Sequence, residues 1–410
     1  QEAVSAQFDQ GASETASPSA ATPRAKVGRA SCPPGTPPQG LEVWRRRVAD
    51  DDILQMTSVA TDGNDNAYAA RAAGGMSKVS ETGDALWSKS FGSLVASNGS
   101  GDNVVVAGTF SEGPGSEAPN GLPSAGGTDV FVAKLDSSGN VLYAVAFGGP
   151  GAERAEGLAV DMEGSAVVSG PGIGTIKLDG AGHVVWTQSF HGAVTTDSAG
   201  NVIVTGGFTR TATFGGDPLV SAGGEDVFVA KVDISGNLVF SRRYGDAGNT
   251  QRGGAVAVDS FDNILVGGVA EGSIDFGGGP LSVRPGTCPA ESWCKQAGFV
   301  LKLDPSGHHV FSRSVAPVRS IEGIATDSMN RVFASGAEPG DATPYRTLLL
   351  LELDSEGNDL GLSARLAADL TESGAGHGVT VDRCDSVLWA FSVPLGANEL
   401  ERSFITKLAP

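Results

Sequence analysis

The chain has 410 residues, with Lys+Arg 28 against Asp+Glu 47, a formal net charge of −19 and a sequence pI near 4.6. That balance excludes nucleic acid as a partner, since phosphate binding needs a basic stripe, and it argues against adhesion to anionic lipid. Hydrophobic residues at 40% are ample for a packed core, while no apolar run reaches the roughly 18 residues of a membrane span.

Residues 1–40 are dominated by Ala, Ser, Thr, Pro, Gln and Gly and read as a flexible linker. The sequence begins at Gln1, with no initiating Met and no charged-then-apolar signal segment, which suggests a processed or trimmed product. A tail of this kind suits a secreted or lipoprotein-like protein held away from a surface. No lipid-bearing Cys stands at residue 1.

From residue 41 to 410 the sequence repeats. The clearest unit, 226–268, is DVFVAKVDISGNLVFSRRYGDAGNTQRGGAVAVDSFDNILVGG. Its four short apolar runs are bounded by Gly, Asn, Asp or Ser, the signature of strands and turns. Two landmarks recur through the chain. The first is Lys-apolar-Asp before a Gly-Asn turn, at Lys134, Lys177, Lys231 and Lys302, with degenerate copies at Lys78, Glu352 and Lys407. The second is a Gly-x-Ala-Val-Asp-like strand whose Asp is Asp62, Asp161, Asp197, Asp259, Asp327 or Asp382, with an eroded copy at 97–103. Each landmark occurs seven times and the two alternate. An aromatic marks the strand after Lys-x-Asp at Trp87, Tyr143, Trp186, Phe240 and Phe311; Gly361 departs from it, and Trp44 supplies the last copy from the N-terminal side.

A fixed period of this kind specifies a repeat architecture. The expected fold is all-β, a seven-bladed β-propeller of four-stranded blades. Strand A is the Gly-x-Ala-Val-Asp run lining the channel, B the next apolar run, C the Lys-x-Asp run and D the aromatic one. The blades fall at 56–91, 93–147, 156–190, 191–245, 253–315, 322–366, and 377–410 with 41–48. The N-terminal strand thus pairs with the C-terminal strand, and closure removes open sheet edges. The 59 Gly residues suit many hairpin turns needing positive φ.

These segments resemble bacterial SBBP repeats: DVFVAKLDSSGNVLYAVAFGG (129–149), the loops TATFGGDPLVSAGGEDVF (211–228) and SIDFGGGPLS (273–282), and the Gly-x-Ala-Val-Asp strands. The resemblance covers about residues 41–410. It implies a seven-bladed propeller and no common catalytic motif.

Four cysteines permit three pairings. Cys288 and Cys294 lie in one B–C loop and form the local pair, leaving Cys32 with Cys384. Cys384 sits in the A–B turn of blade 7 and Cys32 precedes strand D of that blade. Strands A and D are about 14–15 Å apart, a span that the residues from Cys32 to Leu41 can cover. Such a bridge would lock the closure seam, contributing up to roughly 5–6 kcal/mol in the chain-entropy model. Both pairs would place the protein in an oxidising, extracytoplasmic compartment. The alternatives are four reduced, buried thiols and a Zn site, for which CPAESWC has the wrong spacing.

The A–B and C–D turns are short and uniform, whereas the B–C loops at 109–128, 208–225 and 269–297 are long and unequal. Variable loops on a rigid scaffold carry binding residues, so any ligand is expected on the B–C face. Counting by register, the residues before each strand A are Met56, Ser93, Glu156, His191, Gly253, Glu322 and His377. Glu156/His191 and Glu322/His377 are the chemically suggestive pairs: they would ring the channel mouth as ligands for a divalent metal or as acid–base partners. The run His377-Gly378-Val379 also resembles the start of strand A in streptogramin-lyase-type propellers, which implies Glu and His at such a ring. Solvation at a wet channel mouth accounts for the same residues. The Asp-x-x-Gly-Asn turns offer oxygens to Ca²⁺, but lack the length and bidentate Glu of a dedicated loop; Asp bonding to its own turn explains them. His308-His309 reads as exposed, and the repeat lysines as shielding an exposed strand or pairing with an acid. No Gly-x-Ser-x-Gly elbow, phosphate loop or nucleotide fingerprint is present.

The expected function is therefore a non-enzymatic extracytoplasmic binding scaffold, monomeric, secreted or tethered at the bacterial cell surface or in the periplasm, taking a protein or glycan on the B–C face. The alternatives are a metal-assisted lyase or hydrolase using Glu156, His191, Glu322 and His377, and a purely structural surface protein.

Overall fold

The computed structural model describes residues 42–47, 56–72, 74–99, 101, 103–112, 118–282, 296–315, 318–338, 346–368, 378–393 and 402–409. The 1–40 linker, Cys32, Cys288, Cys294, His377 and parts of the B–C loops of blades 2 and 5 lie outside them. Among the described residues the only helical element is the 3₁₀ turn Pro119–Gly121, and no helix is long and apolar enough to cross a membrane.

Seven four-stranded antiparallel sheets form, each in the order A-B-C-D. The seven A strands are Met56–Thr61, Leu94–Ala96, Gly157–Val160, Ala193–Thr196, Gln251–Val258, Ser320–Thr326 and Gly378–Val381. Six blades are continuous in the chain. The seventh takes its outer strand, Glu42–Arg47, from the N-terminal side, paired with Arg402–Leu408. Trp44 stands opposite Lys407 and Arg46 opposite Ile405, and Val43 occupies a β-bulge between Glu42 and Trp44.

That bulge belongs to every blade. Leu86, Leu142, Val185, Val239, Val310 and Leu360 each fall at the same register break in strand D, immediately before the aromatic position. All seven bulged residues are exposed aliphatics. A bulge twists an edge strand away from flat pairing, which protects the outer rim of each blade.

The repeat residues hold neighbouring blades together. The strand D aromatic of one blade lies on the turn glycine of the next: Trp44 on Gly83, Trp87 on Gly139, Tyr143 on Gly182, Trp186 on Gly236, Phe240 on Gly307 and Phe311 on Gly357. These glycines have φ between +82° and +91°, and a Cβ would lie 2.7–3.2 Å from the ring, so only glycine supplies both the turn and the seat. The exception explains itself. Gly361 of blade 6 faces the seam, where strands C and D of blade 7, Arg402–Leu408 and Glu42–Arg47, are not joined by a C–D hairpin, so among the described residues no turn glycine stands there to receive a ring.

The Lys-x-Asp lysines serve a buried role. Lys78–Asp62, Lys177–Asp161, Lys231–Asp197, Lys302–Asp259 and Lys407–Asp382 are ion pairs of 2.8–3.1 Å within single blades. Four of the ammonium groups also donate to a turn carbonyl of the next blade: Ser137, Gly200, Pro305 and Ser355. Blade 6 inverts the charges: Glu352 replaces Lys, and Arg331 bonds both Asp327 (2.5 Å) and Glu352 (2.7 Å). The expected pairing with an acid is therefore present in five blades; Lys78, Lys177, Lys231 and Lys302 are buried rather than shielding an exposed strand, Lys407 is partly buried, and Lys134, also partly buried, donates instead to the Gly180 carbonyl.

The A–B turns close a second ring. Asp262, Asn330, Asp385 and Asp65 sit at φ of +60° to +64°. Their side chains accept hydrogen bonds from Ser198, Ser260, Ser328 and Arg383 in the preceding blade. Non-glycine residues in left-handed backbone are costly, and each here earns an inter-blade bond.

Candidate functional site

Opposite those turns lies the face of the B–C loops and D–A crossovers. Its loops are built inward as well as outward. In blade 4, Thr211–Ala212 pairs with Leu219–Val220, and Phe214 between them is buried with its ring 5.0 Å from Phe190 and 4.8 Å from Phe228. In blade 5, Ser273–Asp275 pairs with Pro280–Ser282, and Phe276 is buried 5.2 Å from Tyr244 and 4.9 Å from Phe299. The repeated Phe-Gly-Gly thus folds each loop down as a hairpin whose phenyl ring plugs the gap between blades.

Of the sequence-predicted site residues, Glu156 and His191 come together. His191 Nδ1 lies 3.2 Å from Glu156 Oε2, with the imidazole side chain 40% exposed and the carboxylate 17%. Arg154 bonds the other oxygen of Glu156. The hydrogen bond from His191 holds Glu156 below the usual carboxylate range; burial opposes this, and Arg154, His191 and Arg252 add to the lowering. Glu156 is therefore an ionised group orienting an imidazole, flanked by two guanidiniums, a local excess of positive charge on an acidic protein.

Register counting misplaced part of the ring. Gly157 pairs with Ser169 and Ala193 with Thr205, so Glu156 corresponds to Gly192, and His191 is one residue upstream. Bulges at Thr57, Gly254 and Glu322 put those residues, with Ser93 and Glu156, in the equivalent position. Met56 and Gly253 share the level of His191. His191 stands six residues before Asp197, whereas Glu156 stands five before Asp161, and neither blade has a bulge there. Glu322 belongs to blade 6, two blades from His191, and His377 lies outside the described residues. Among the described residues no three His, Cys, Asp or Glu side chains gather to hold a metal.

The other polar features have local explanations. In the turn 136–140, Asp136 Oδ1 accepts from Ser138 N and Asn140 N, and Oδ2 accepts from Asn140 Nδ2. His183 and His308 take the Asn position of this turn, each with Nδ1 3.0 Å from the turn Asp. His308 is exposed as expected, and His309 Nε2 is 3.1 Å from Ser312 Oγ. Cys384 is not a free thiol, while Cys32, Cys288 and Cys294 lie outside the described residues. Sequence reading missed Arg154 and Arg252, which no repeat landmark marks. It also missed two buried acids, Asp129 and Glu153, whose signal is the twice-written SAGG-x-D at 124–129 and 221–226.

No family model matches the chain, and no curated protein does. Among solved structures it is similar to BamB from Moraxella catarrhalis, at 14% identity and TM-score 0.45 over 90% of this chain and 97% of that one. It is also similar to the Dos1 propeller, at 8% identity and TM-score 0.46 over 86% of this chain and 77% of that one. A protein of unknown function from Bacteroides caccae matches at 12% identity and TM-score 0.36, over 80% and 86% of the two chains. At these values the likenesses carry no functional argument.

Proposed function

We propose that this protein is a non-enzymatic binding scaffold whose ligand, a protein or a glycan, docks on the face of the B–C loops. The observation carrying this is the division of labour between the faces. The A–B and C–D turns are committed to inter-blade bonds in nearly every blade, whereas the B–C loops differ in length and chemistry. The best-defined polar group on that face is Glu156, His191, Arg154 and Arg252, which suits a ligand bearing a carboxylate or another anionic group. Membership among SBBP-repeat proteins, a monomeric state and an extracytoplasmic, secreted or surface-tethered location belong to the same reading, as do the bridges Cys32–Cys384 and Cys288–Cys294. Capture from an extracellular extract and a glycan panel with immobilised protein tests it. Retention should fall in Arg252→Ala and His191→Ala and persist in Ser198→Ala on the opposite face; the reverse pattern rejects it.

The 3.2 Å Glu156–His191 contact favours a second reading, a lyase or hydrolase in which Glu156 orients His191 as general base, or in which both hold a divalent metal with Glu322 and His377. A copurifying metal lost in Glu156→Ala and His377→Ala would support it. Metal content unchanged in those variants, with no turnover, would remove it.

A further inference from the structure

The loop 124–129 and the crossover 148–153 meet at the junction of blades 2 and 3. Gly126 and Gly127 approach the backbone of 149–151 so closely that neither tolerates a Cβ. Thr128 Oγ1 donates to the Glu153 carbonyl (3.0 Å), and Glu153 N donates to the Thr128 carbonyl (2.8 Å). This junction places two carboxylates face to face. Asp129 is 1% exposed; its Oδ2 accepts from Ala125 N, while Oδ1 is buried without a hydrogen-bond partner. Glu153 is 8% exposed, and its Oε2 accepts only a 3.2 Å bond from Gly149 N. A methyl group on Gly148 would collide with Asp129 Oδ1 and lie 2.8 Å from Glu153 Oε2, so both oxygens border one small volume. Among the described residues neither acid has an ion-pair partner, and Arg154 is turned to Glu156.

Blade 4 contains the same construction with the charge solved differently. SAGG recurs at 221–224, Ala222 N donates to Asp226 Oδ2, and Gln251 N donates to the Glu225 carbonyl as Glu153 N does to Thr128. There Arg243 bonds Asp226 Oδ2 at 2.7 Å while Asp226 Oδ1, like Asp129 Oδ1, is buried without a hydrogen-bond partner, and the residue at the Glu153 position is the neutral Gln251. In blade 2 the Arg243 position is Ala146, since Ala146 pairs with Phe131 as Arg243 pairs with Phe228. Where blade 2 lacks the guanidinium it holds a second carboxylate. Two buried negative charges side by side cannot persist without a counter-charge.

We propose that Asp129 and Glu153 bind a divalent cation, Ca²⁺ by ligand type, that clasps the B–C loop of blade 2 to the blade 2–3 crossover. Carboxylate oxygens bind Ca²⁺ at about 2.3–2.6 Å, with water and carbonyls completing the shell. The ion would fix the segment leading directly into Glu156.

Calorimetric titration of chelator-treated full-length protein with Ca²⁺ alone should show one bound ion per chain, and thermal unfolding should move upward in Ca²⁺ relative to EDTA. Asp129→Asn and Glu153→Gln should each weaken binding by about tenfold or more, as removing one charged ligand does. The double variant Ala146→Arg/Glu153→Gln transplants the blade 4 solution; it should match the Ca²⁺-loaded protein in EDTA and ignore added Ca²⁺. No heat and no thermal shift would overturn the proposal, as would a response surviving in Asp129→Asn or in the double variant. Stabilisation by acidification alone, indifferent to Ca²⁺, would show instead that the two carboxylates share a proton.

Discussion

Trp44 lies on Gly83, its indole carbons 3.0 Å from where a Cβ would stand, and its Nε1 donates to the Glu81 carbonyl at 2.9 Å. One contact thereby joins the N-terminal strand of blade 7 to the C–D turn of blade 1, across the junction where the ring closes. Gly83→Ala should cost at least about 1–2 kcal/mol for the left-handed backbone, with displacement of the indole in addition. Trp44→Ala removes the same contact from the other side. Denaturant midpoints of both variants and of the double variant should show strong non-additivity; additive losses would disprove the shared seat.

Blade 6 offers a charge-swap test. Glu352→Lys restores the repeat residue but places an ammonium group beside Arg331 in a buried site, and should destabilise by about 3–5 kcal/mol. Adding Arg331→Asn recreates the Asp–Asn–Lys arrangement of blades 1, 4 and 5 and should recover most of that loss. Urea unfolding of the four proteins in the cycle reads the outcome, and failure of the second change to rescue the first would show that the inversion has another cause.

Burial pushes the Tyr143 hydroxyl up to about 12, with Asp179 adding to the effect, and burial pushes Tyr244 up to about 12 against an opposing Arg242. A folded-state value above the unfolded value of about 10 gives stability that is intact below pH 10 and is lost as pH rises toward 12. Tyrosinate absorbance should therefore lag behind that of free tyrosine and appear together with unfolding. Tyr143→Phe and Tyr244→Phe should each reduce the steepness of that loss.

At the acid end the C–D turns contribute. Hydrogen bonds from the side-chain amides of Asn140, Asn237 and Asn358, then from their backbone N–H groups, hold Asp136, Asp233 and Asp354 below the usual range. Depressed folded values give stability that is present above an unfolded value of about 3.9 and is lost as pH falls through the folded ones. Asn140→Ala should flatten the acid limb of a stability–pH curve by lowering stability at neutral pH, where Asp136 is ionised, more than in acid, where it is protonated in both states. A limb unchanged by this variant would assign acid unfolding to other carboxylates.

The blade count, the order of strands and the borrowed N-terminal strand were legible in the sequence, because each repeat writes its turn, its charge pair and its aromatic within a short local window. The missing aromatic at Gly361 was visible too, but its cause, the absence of a C–D hairpin in blade 7, came only with the structure. What local windows do not hold is anything set by a bulge or by a neighbouring blade. His191 stands six residues before its repeat Asp and Glu156 five, so the two are not equivalents within the repeat, and only the packing of blade 3 against blade 4 makes them partners. Asp129 and Glu153 are separated by the rest of strand C, all of strand D and a crossover, and only the close approach of two glycine-rich segments brings their oxygens together. Sequence decided what each blade is made of; the circular packing of seven blades decided which side chains meet between them.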